Sequence, residues 1–403
     1  MILQVLHSLT VAFGTSARGS AISSFVILNT RMKLVIMGLT VSSSWGNGHA
    51  TLWRGLLNAL ARDSHRCVFF ERNVPWYEST RDLSSPENFE LVLYPSWEGI
   101  RERAAAEMAD ADAAIVTSYC PDAPAAAELV FESKAVRVFY DLDAPVTLAR
   151  IDADLPVEWV GEGGYSGYDL VLSYSGGPSL EELRTRLGAR RVAPLYGSVD
   201  FDVHHPVQPM TTPAGNRRVD LSYLGTWAAD RQAALEKLLI EPARKNAERA
   251  FLIGGSMYPA NFPWISNIYF IPHVAPADHN AFYCSSDLTL NITRQPMFER
   301  GFCPSGRLFE AAACETPVLS DPWPGIEEFF EPGREILVAR NSEEALEAIA
   351  LDRGELKLVG KAASARAREC HTAAIRAREM VAAIEAAASE GAAATVGISG
   401  DNA

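Results

Sequence analysis

Residues able to hold an anion and a diol fall together in one short stretch of this chain, Phe302-Cys303-Pro304-Ser305-Gly306-Arg307-Leu308-Phe309-Glu310. Pro304 and Ser305 suit the opening of a helix, with Ser305 at its N-cap. A helix start facing a cleft offers unpaired amides and partial positive charge, which is what a diphosphate needs. Glu310 lies over one turn further on, where a carboxylate can accept hydrogen bonds from two adjacent hydroxyls such as those of a ribose. Arg307, three residues before it, shares that face. The plainer alternative is a surface Arg–Glu pair contributing at most about 0.5 kcal/mol. Arg294, in Asn291-Ile292-Thr293-Arg294, follows a strand-like run, and the carboxyl edge of an open α/β sheet is where ligands bind. Its guanidinium suits a bidentate phosphate contact; the alternative is an ion pair with Glu299.

The first half of the chain carries a second set of candidates. Gly46, Asn47 and Gly48 link a strand-like run to a helix, and glycines there let the backbone approach a ligand at the helix start. His49, next in line, is placed to act as a base or to hydrogen-bond a sugar, against the plainer reading of a structural histidine. Asp141 and Asp143 follow another strand-like run and either bind acceptor hydroxyls or cap the next turn. A nicotinamide-dependent dehydrogenase is disfavoured: Thr51 stands where a G-x-G-x-x-G fingerprint needs its third glycine.

These residues need elements to position them, and the chain supplies two similar sets. Strand-like runs at 34–38, 67–71, 89–94, 113–117, 136–140 and 170–174 alternate with helical patterns, as parallel sheets covered on both faces do. A Pro/Thr/Gly-rich stretch without periodicity follows, and the alternation restarts at 219–224, 250–254, 268–271, 288–291 and 317–320. The expected division is an extension at 1–31, a first Rossmann-like domain at 32–205 and a linker at 206–218. A second Rossmann-like domain at 219–350, helices at 351–388 returning to the first domain and a flexible tail at 389–403 complete it.

A length of 403 residues fits two domains, and 48% hydrophobic with 21% charged residues is the balance of a globular chain. The net charge of −14 argues against nucleic acid as a partner. No run reaches the roughly 18 apolar residues of a membrane span. Residues 1–31 lack the basic start and unbroken apolar stretch of a secretory signal, and the six cysteines form no CxxC pair. Both features fit a reducing compartment, so the expected location is the cytoplasm.

The text after Glu310 runs through Thr316-Pro317-Val318-Leu319-Ser320 to Gly325-Ile326-Glu327-Glu328 and Gly333-Arg334-Glu335-Ile336-Leu337-Val338. This block resembles the donor-binding half of GT-B glycosyltransferases with the E-x7-E signature. Their pattern is a glutamate-alanine helix start, a small residue before a Pro-Val strand, a Gly-x-x-Glu turn and a Gly-x-x-Gly-x-Leu-Val hairpin. Within that clan the Pro-Ser-x-Arg-x-Phe-Glu run is most similar to the spore-maturation CgeB-type proteins. The likeness spans about 32–350 and is strongest over 285–340.

The resemblance implies an α/β protein of the GT-B type, two Rossmann-like domains with parallel sheets facing a cleft. It implies transfer of a sugar from a nucleotide-diphosphate donor to a glycan or other acceptor, which binds in the domain at 32–205. Neither metal nor cofactor is expected, since helix dipole and basic side chains stabilise the leaving diphosphate. The donor site it implies comprises Gly225, Thr226, Arg231, Arg294, Ser305, Arg307, Glu310 and Gly325, facing Gly46–His49 across the cleft. Glu310 matches the second acid of the signature, but Phe302 stands in place of the first. Phe302 also favours the alternative, an inactive scaffold that binds a nucleotide sugar or glycan.

Overall fold

A computed structural model describes residues 31–215 and 217–398. The expected extension at 1–31 lies outside them save for Arg31, as do residues 399–403.

Two parallel sheets organise the chain. The first comprises β1 (Lys33–Gly38), β2 (Arg66–Arg72), β3 (Glu90–Tyr94), β4 (Ala113–Thr117), β5 (Val136–Asp141), β6 (Leu170–Ser173) and β7 (Val192–Pro194), in the order β3-β2-β1-β4-β5-β6-β7. The second comprises β8 (Val219–Leu224), β9 (Phe251–Gly254), β10 (Ile268–Ile271), β11 (Ser286–Asn291), β12 (Val318–Ser320) and β13 (Leu337–Val338), in the order β10-β9-β8-β11-β12-β13. β1 runs as Leu-Val-Ile-Met with all four residues fully buried, the unbroken apolar signature of a strand covered on both faces. Leu34 and Ile36 enter one core layer and Val35 and Met37 the other, following the two-residue period of the strand. In the second sheet Leu252 faces one layer while Phe251 and Ile253 face the other.

Both sheets reverse strand order at one point, between β1 and β4 and between β8 and β11. The loops leaving neighbouring strands there run in opposite directions and open a crevice at the carboxyl ends, where open α/β sheets take ligands. Hence the segments after β1, β4, β8 and β11 are the places to look for chemistry.

The C-terminal helices divide their allegiance. Helix Arg353–Cys370 places Ala363 and Ala367 in the core of the second domain. Helix Ala373–Ile398 crosses to the first domain, where Ala373, Ala377, Met380, Ile384 and Ala387 join the core beside helix His49–Arg62. That spacing is one helical stripe. Two expectations are thereby corrected: only the part after His371 returns, and the chain is helical to Ile398 instead of loosening at 389. Alanine's high helix propensity carries the helix through the small residues read as a tail.

The two crossings between domains run side by side. Val199 pairs in parallel with Thr372, with its amide donating to the His371 carbonyl at 3.0 Å and its carbonyl accepting from Ala373 at 2.9 Å. His371 is sealed there among Phe309, Phe329 and Phe330. Its Nε2 lies 3.1 Å from the Phe329 carbonyl and its Nδ1 3.0 Å from Arg376 Nη2. A carbonyl accepts only and a guanidinium donates only, so the ring is neutral with its proton on Nε2. Burial accordingly pushes its pKa down to about 4. Elsewhere along the interface, Arg300 pairs with Asp152 and Glu182 of the first domain at 2.6 and 3.1 Å.

Candidate functional site

The two guanidiniums that flank the loop after β8 define the second domain's edge. Arg307 donates from Nε to the Leu224 carbonyl at 2.5 Å and from Nη1 to Asn291 Oδ1 at 2.8 Å, bridging the ends of β8 and β11. It lies over the Tyr223 ring at 5.1 Å. A Cβ at Gly225 would come within 2.7 Å of Tyr223 Oη and 3.0 Å of Arg307 Nη2, so only glycine lets the loop pass this close. Arg231 donates from Nη1 to the Thr226 carbonyl at 3.0 Å, while its buried Nε has no hydrogen-bond partner. Arg294, beside them, pairs with Asp230 at 3.0 Å. The expected alternative pairing with Glu299 does not form; Glu299 accepts from Gln295 instead.

Helix Gly306–Ala313 begins at this edge. Ser305 occupies its N-cap in extended conformation, yet the side chain makes no capping hydrogen bond, and a Cβ on Gly306 would meet nothing within 4 Å. This helix start therefore has no side-chain cap, although the Leu308 amide donates to the Ser305 carbonyl at 3.0 Å.

Arg307 and Glu310 do not pair with each other. Glu310, 7% exposed, faces helix His279–Tyr283: Tyr283 Oη donates to its Oε2 at 3.1 Å, and His279 Nδ1 lies 3.3 Å from the same oxygen. Burial alone would raise its pKa, but His279, His204 and Tyr283 outweigh it and hold the carboxyl well below the usual range.

Gly325 adopts φ +87°, and a Cβ there would collide with the Phe302 ring at 2.4 Å; Gly177 of the first domain would collide with the same ring at 2.2 Å. Both glycines thus seat Phe302 in the interdomain seam. Phe302 itself has φ +50° and is held by backbone bonds from its amide to Pro324 and from the Gly176 amide to its carbonyl.

In the first domain the loop after β1 is tied back on itself. Asn47 Oδ1 accepts from the amides of His49 and Ala50 at 3.0 and 3.2 Å, and its Nδ2 donates to the carbonyls of Ser43 and Trp45. The helix start expected to face a ligand is already capped, so Asn47 is structural. Gly46, at φ +72°, and Gly48 both border open space. Asp141 is also corrected. It is fully buried, accepts from Tyr165, Thr147 and the Asp143 amide, and burial raises its pKa to about 6. It braces the turn after β5 and is closed to an acceptor.

Asp143 and His49 do meet. His49 Nε2 lies 3.7 Å from Asp143 Oδ2, and its ring sits 5.2 Å from that of Tyr119, whose hydroxyl donates to the same Oδ2 at 2.6 Å. Burial would raise Asp143, but His49, Tyr119 and Arg294 together hold it below the ordinary carboxylate range. The influence of Arg294 on Asp143 joins the two edges across the cleft.

Tyr119, His204, His279 and Tyr283 were not singled out from the sequence. The usable signal for Tyr119 was its place just after the strand-like run at 113–117; in the structure that strand, β4, lies at the order reversal and Tyr119 holds φ +67°, unusual for a bulky residue. Two surface hollows, of about 330 Å³ along Ile151–Leu187 and about 240 Å³ beside Tyr196 and His371, lie away from both edges.

Residues 231–382 match the family described as glycosyl transferase-like. No curated protein matches the chain. Among solved structures, an alpha-glucosyltransferase in complex with UDP-glucose and DNA containing an abasic site superposes with a TM-score of 0.65 at 12% identity, over 88% of this chain and 100% of that one. Sucrose-phosphate synthase from Thermosynechococcus elongatus gives 0.61 at 13% identity, over 87% and 97%. HepE of Anabaena in complex with UDP-glucose gives 0.60 at 14% identity, over 88% and 100%. The fold is thus that of GT-B glycosyltransferases, with two parallel-sheet α/β domains.

Proposed function

We propose that this chain transfers a sugar from a nucleotide-diphosphate donor to a hydroxyl-bearing acceptor, and that it stands nearest the CgeB-type proteins. The observation that carries the reading is the gathering of Arg231, Arg294 and Arg307 around an uncapped helix start at the β8/β11 reversal. Such a site fits a diphosphate and stabilises it as a leaving group without a metal on the phosphates. Its Arg231 Nε, buried without a partner, is one donor such a ligand would satisfy. Gly225 and Thr226 bring backbone to the same place. Glu310 Oε1 accepts no hydrogen bond from the described residues, which leaves it for a ribose hydroxyl. The structural relatives in complex with UDP-glucose make a uridine nucleotide the first donor to try.

Across the cleft, His49 is the proposed base. Its Nε2 faces Asp143, so Nδ1 is left to take the proton of the acceptor hydroxyl as that oxygen bonds to the anomeric carbon and the diphosphate departs with the bonding pair. Gly46 and Gly48 leave open space beside it for the acceptor. A glycan or small-molecule acceptor suits an acidic chain better than nucleic acid does. The cytoplasm remains the proposed location; no helix among the described residues is long and apolar enough to cross a membrane.

The test is a panel of nucleoside diphosphates by calorimetry, followed by donor turnover with and without glycan acceptors. Glu310→Ala is expected to weaken the nucleotide that binds by about 1–3 kcal/mol. No binding of any nucleoside diphosphate would end the reading. Binding without turnover of any donor would favour the second reading, an inactive scaffold, for which the Phe302 ring in the seam is the specific observation.

A further inference from the structure

We propose that His204, His279 and Glu310 bind one divalent transition-metal ion of the zinc type, which fastens the interdomain segment to the donor helix. The three offer ligand atoms that all lie within 4.8 Å of one another. They come from three separate places: His204 from the turn after the first crossing, His279 from the start of helix His279–Tyr283, and Glu310 from helix Gly306–Ala313.

Both imidazoles are short of partners. Nδ1 of His204 and Nδ1 of His279 are buried and make no hydrogen bond, and His204 is only 7% exposed. Buried polar atoms nearly always find a partner. Glu310 Oε2 already accepts from Tyr283 and lies 3.3 Å from His279 Nδ1, which leaves His204 Nδ1 as the ring atom with nothing in reach of a hydrogen bond. A proton on His279 would strengthen one pair and leave His204 as it is. A cation coordinated by both rings and one carboxylate oxygen answers all three at once.

The donor set names the ion. Two imidazoles and one carboxylate suit zinc, with its fourth position left to water. Tetrahedral ligands around zinc stand about 3.4 Å apart. His279 Nδ1 and Glu310 Oε2 are already at 3.3 Å, so His204 has the remaining gap to close. The surroundings hold the ligands in place, as outer partners do at metal sites. Tyr283 Oη fixes the carboxylate at 3.1 Å, and Asn280 Nδ2 donates to the Val203 carbonyl at 2.7 Å, keeping the His204 turn beside the His279 helix. The ion would take Glu310 Oε2 and leave Oε1 free. The inference rests on the three side chains and stands whether or not the donor reading does.

The test is zinc titration of tag-free, chelator-treated full-length chain by calorimetry, with UDP titrated separately. One equivalent of zinc per chain is expected. His204→Ala, His279→Ala and Glu310→Gln should each weaken it at least tenfold, in proteins whose near-ultraviolet circular dichroism matches the unaltered chain. Should an alanine variant misfold, His204→Asn and His279→Gln make the same comparison. Less than a tenth of an equivalent bound, or histidine variants that bind zinc as tightly as the unaltered chain, overturns the site. UDP binding without zinc binding would remove the metal and spare the donor reading; zinc binding without UDP binding would do the reverse.

Discussion

The two domains use the same strand–loop–helix unit at the same topological point and finish it differently. After β1, Asn47 folds back to cap helix His49–Arg62, and the first amides are consumed within the loop. In the second domain Ser305 begins helix Gly306–Ala313 without capping it, and three arginines gather at that end. One edge keeps its donors for itself, and presents a histidine and a carboxylate instead. The other goes without a side-chain cap and adds cations. On the proposed reading the difference divides the labour, with anion binding in the second domain and proton transfer in the first.

The sharpest way to break this comparison is at His49. His49→Ala should lower turnover by about 10²- to 10⁴-fold, the usual worth of a positioned base. Donor affinity should stay within about twofold if anion binding resides in the other domain. Kinetics combined with calorimetry checks both, and a large loss of donor affinity would contradict the division.

Arg307→Ala should weaken nucleoside diphosphates by about 1.5–3 kcal/mol, the range for hydrogen bonds to charged groups, while the free nucleoside loses much less. Equal losses for the two ligands would remove the phosphate role of Arg307.

The seam between the domains responds to acid through His371. Its pKa is about 4 when folded against 6.5 when exposed, so below pH 6.5 the unfolded chain takes the proton first. Stability present above that pH is lost as pH falls toward 4, by on the order of 3 kcal/mol. Asp141 and Asp321, raised to about 6 by burial, act in the opposite sense over the same window. Comparing the pH dependence of urea unfolding with that of His371→Gln isolates the histidine. An unchanged slope would mean that His371 already carries its proton in the folded chain.

The smallest effect tests the capped edge. Asn47→Ala should cost about 1 kcal/mol of stability, as loss of an N-cap does. Nucleotide affinity should not change; if it falls, the loop after β1 touches the donor.

The layered fold was legible because β1 and its neighbours are continuous apolar runs separated by amphipathic helices. β7 escaped notice because a strand of three residues carries no periodicity, and β13, read as the end of a hairpin, pairs in parallel with β12 instead. Arg294 could be proposed because it follows a strand end, Arg307 because it lies in the first turn of a helix and Arg231 from the resemblance, each beside a plainer reading as an ion pair or a solvated side chain. What the sequence hides is the partner on the other side. Asn47 reads equally as a ligand contact or a cap, and only the path of the loop decides. Asp141 and Asp143 are two residues apart, yet one ends inside the turn and the other in the cleft. His204 and His279 are 75 positions apart, and nothing local announces that they converge on Glu310.

The return of helix Ala373–Ile398 also fixes the order in which this protein is completed during synthesis. Leu52, Trp53 and Leu56 of the first domain share their core with Ala373, Ala377 and Met380, which leave the ribosome more than 300 residues later. The second domain, closed by the helix that ends at Cys370, has all its parts first. Domains that emerge early ordinarily fold early. Here the N-terminal half must wait, with one flank of its sheet uncovered, until the segment after His371 is made, and a chain cut off between Cys370 and Ala373 would expose that flank.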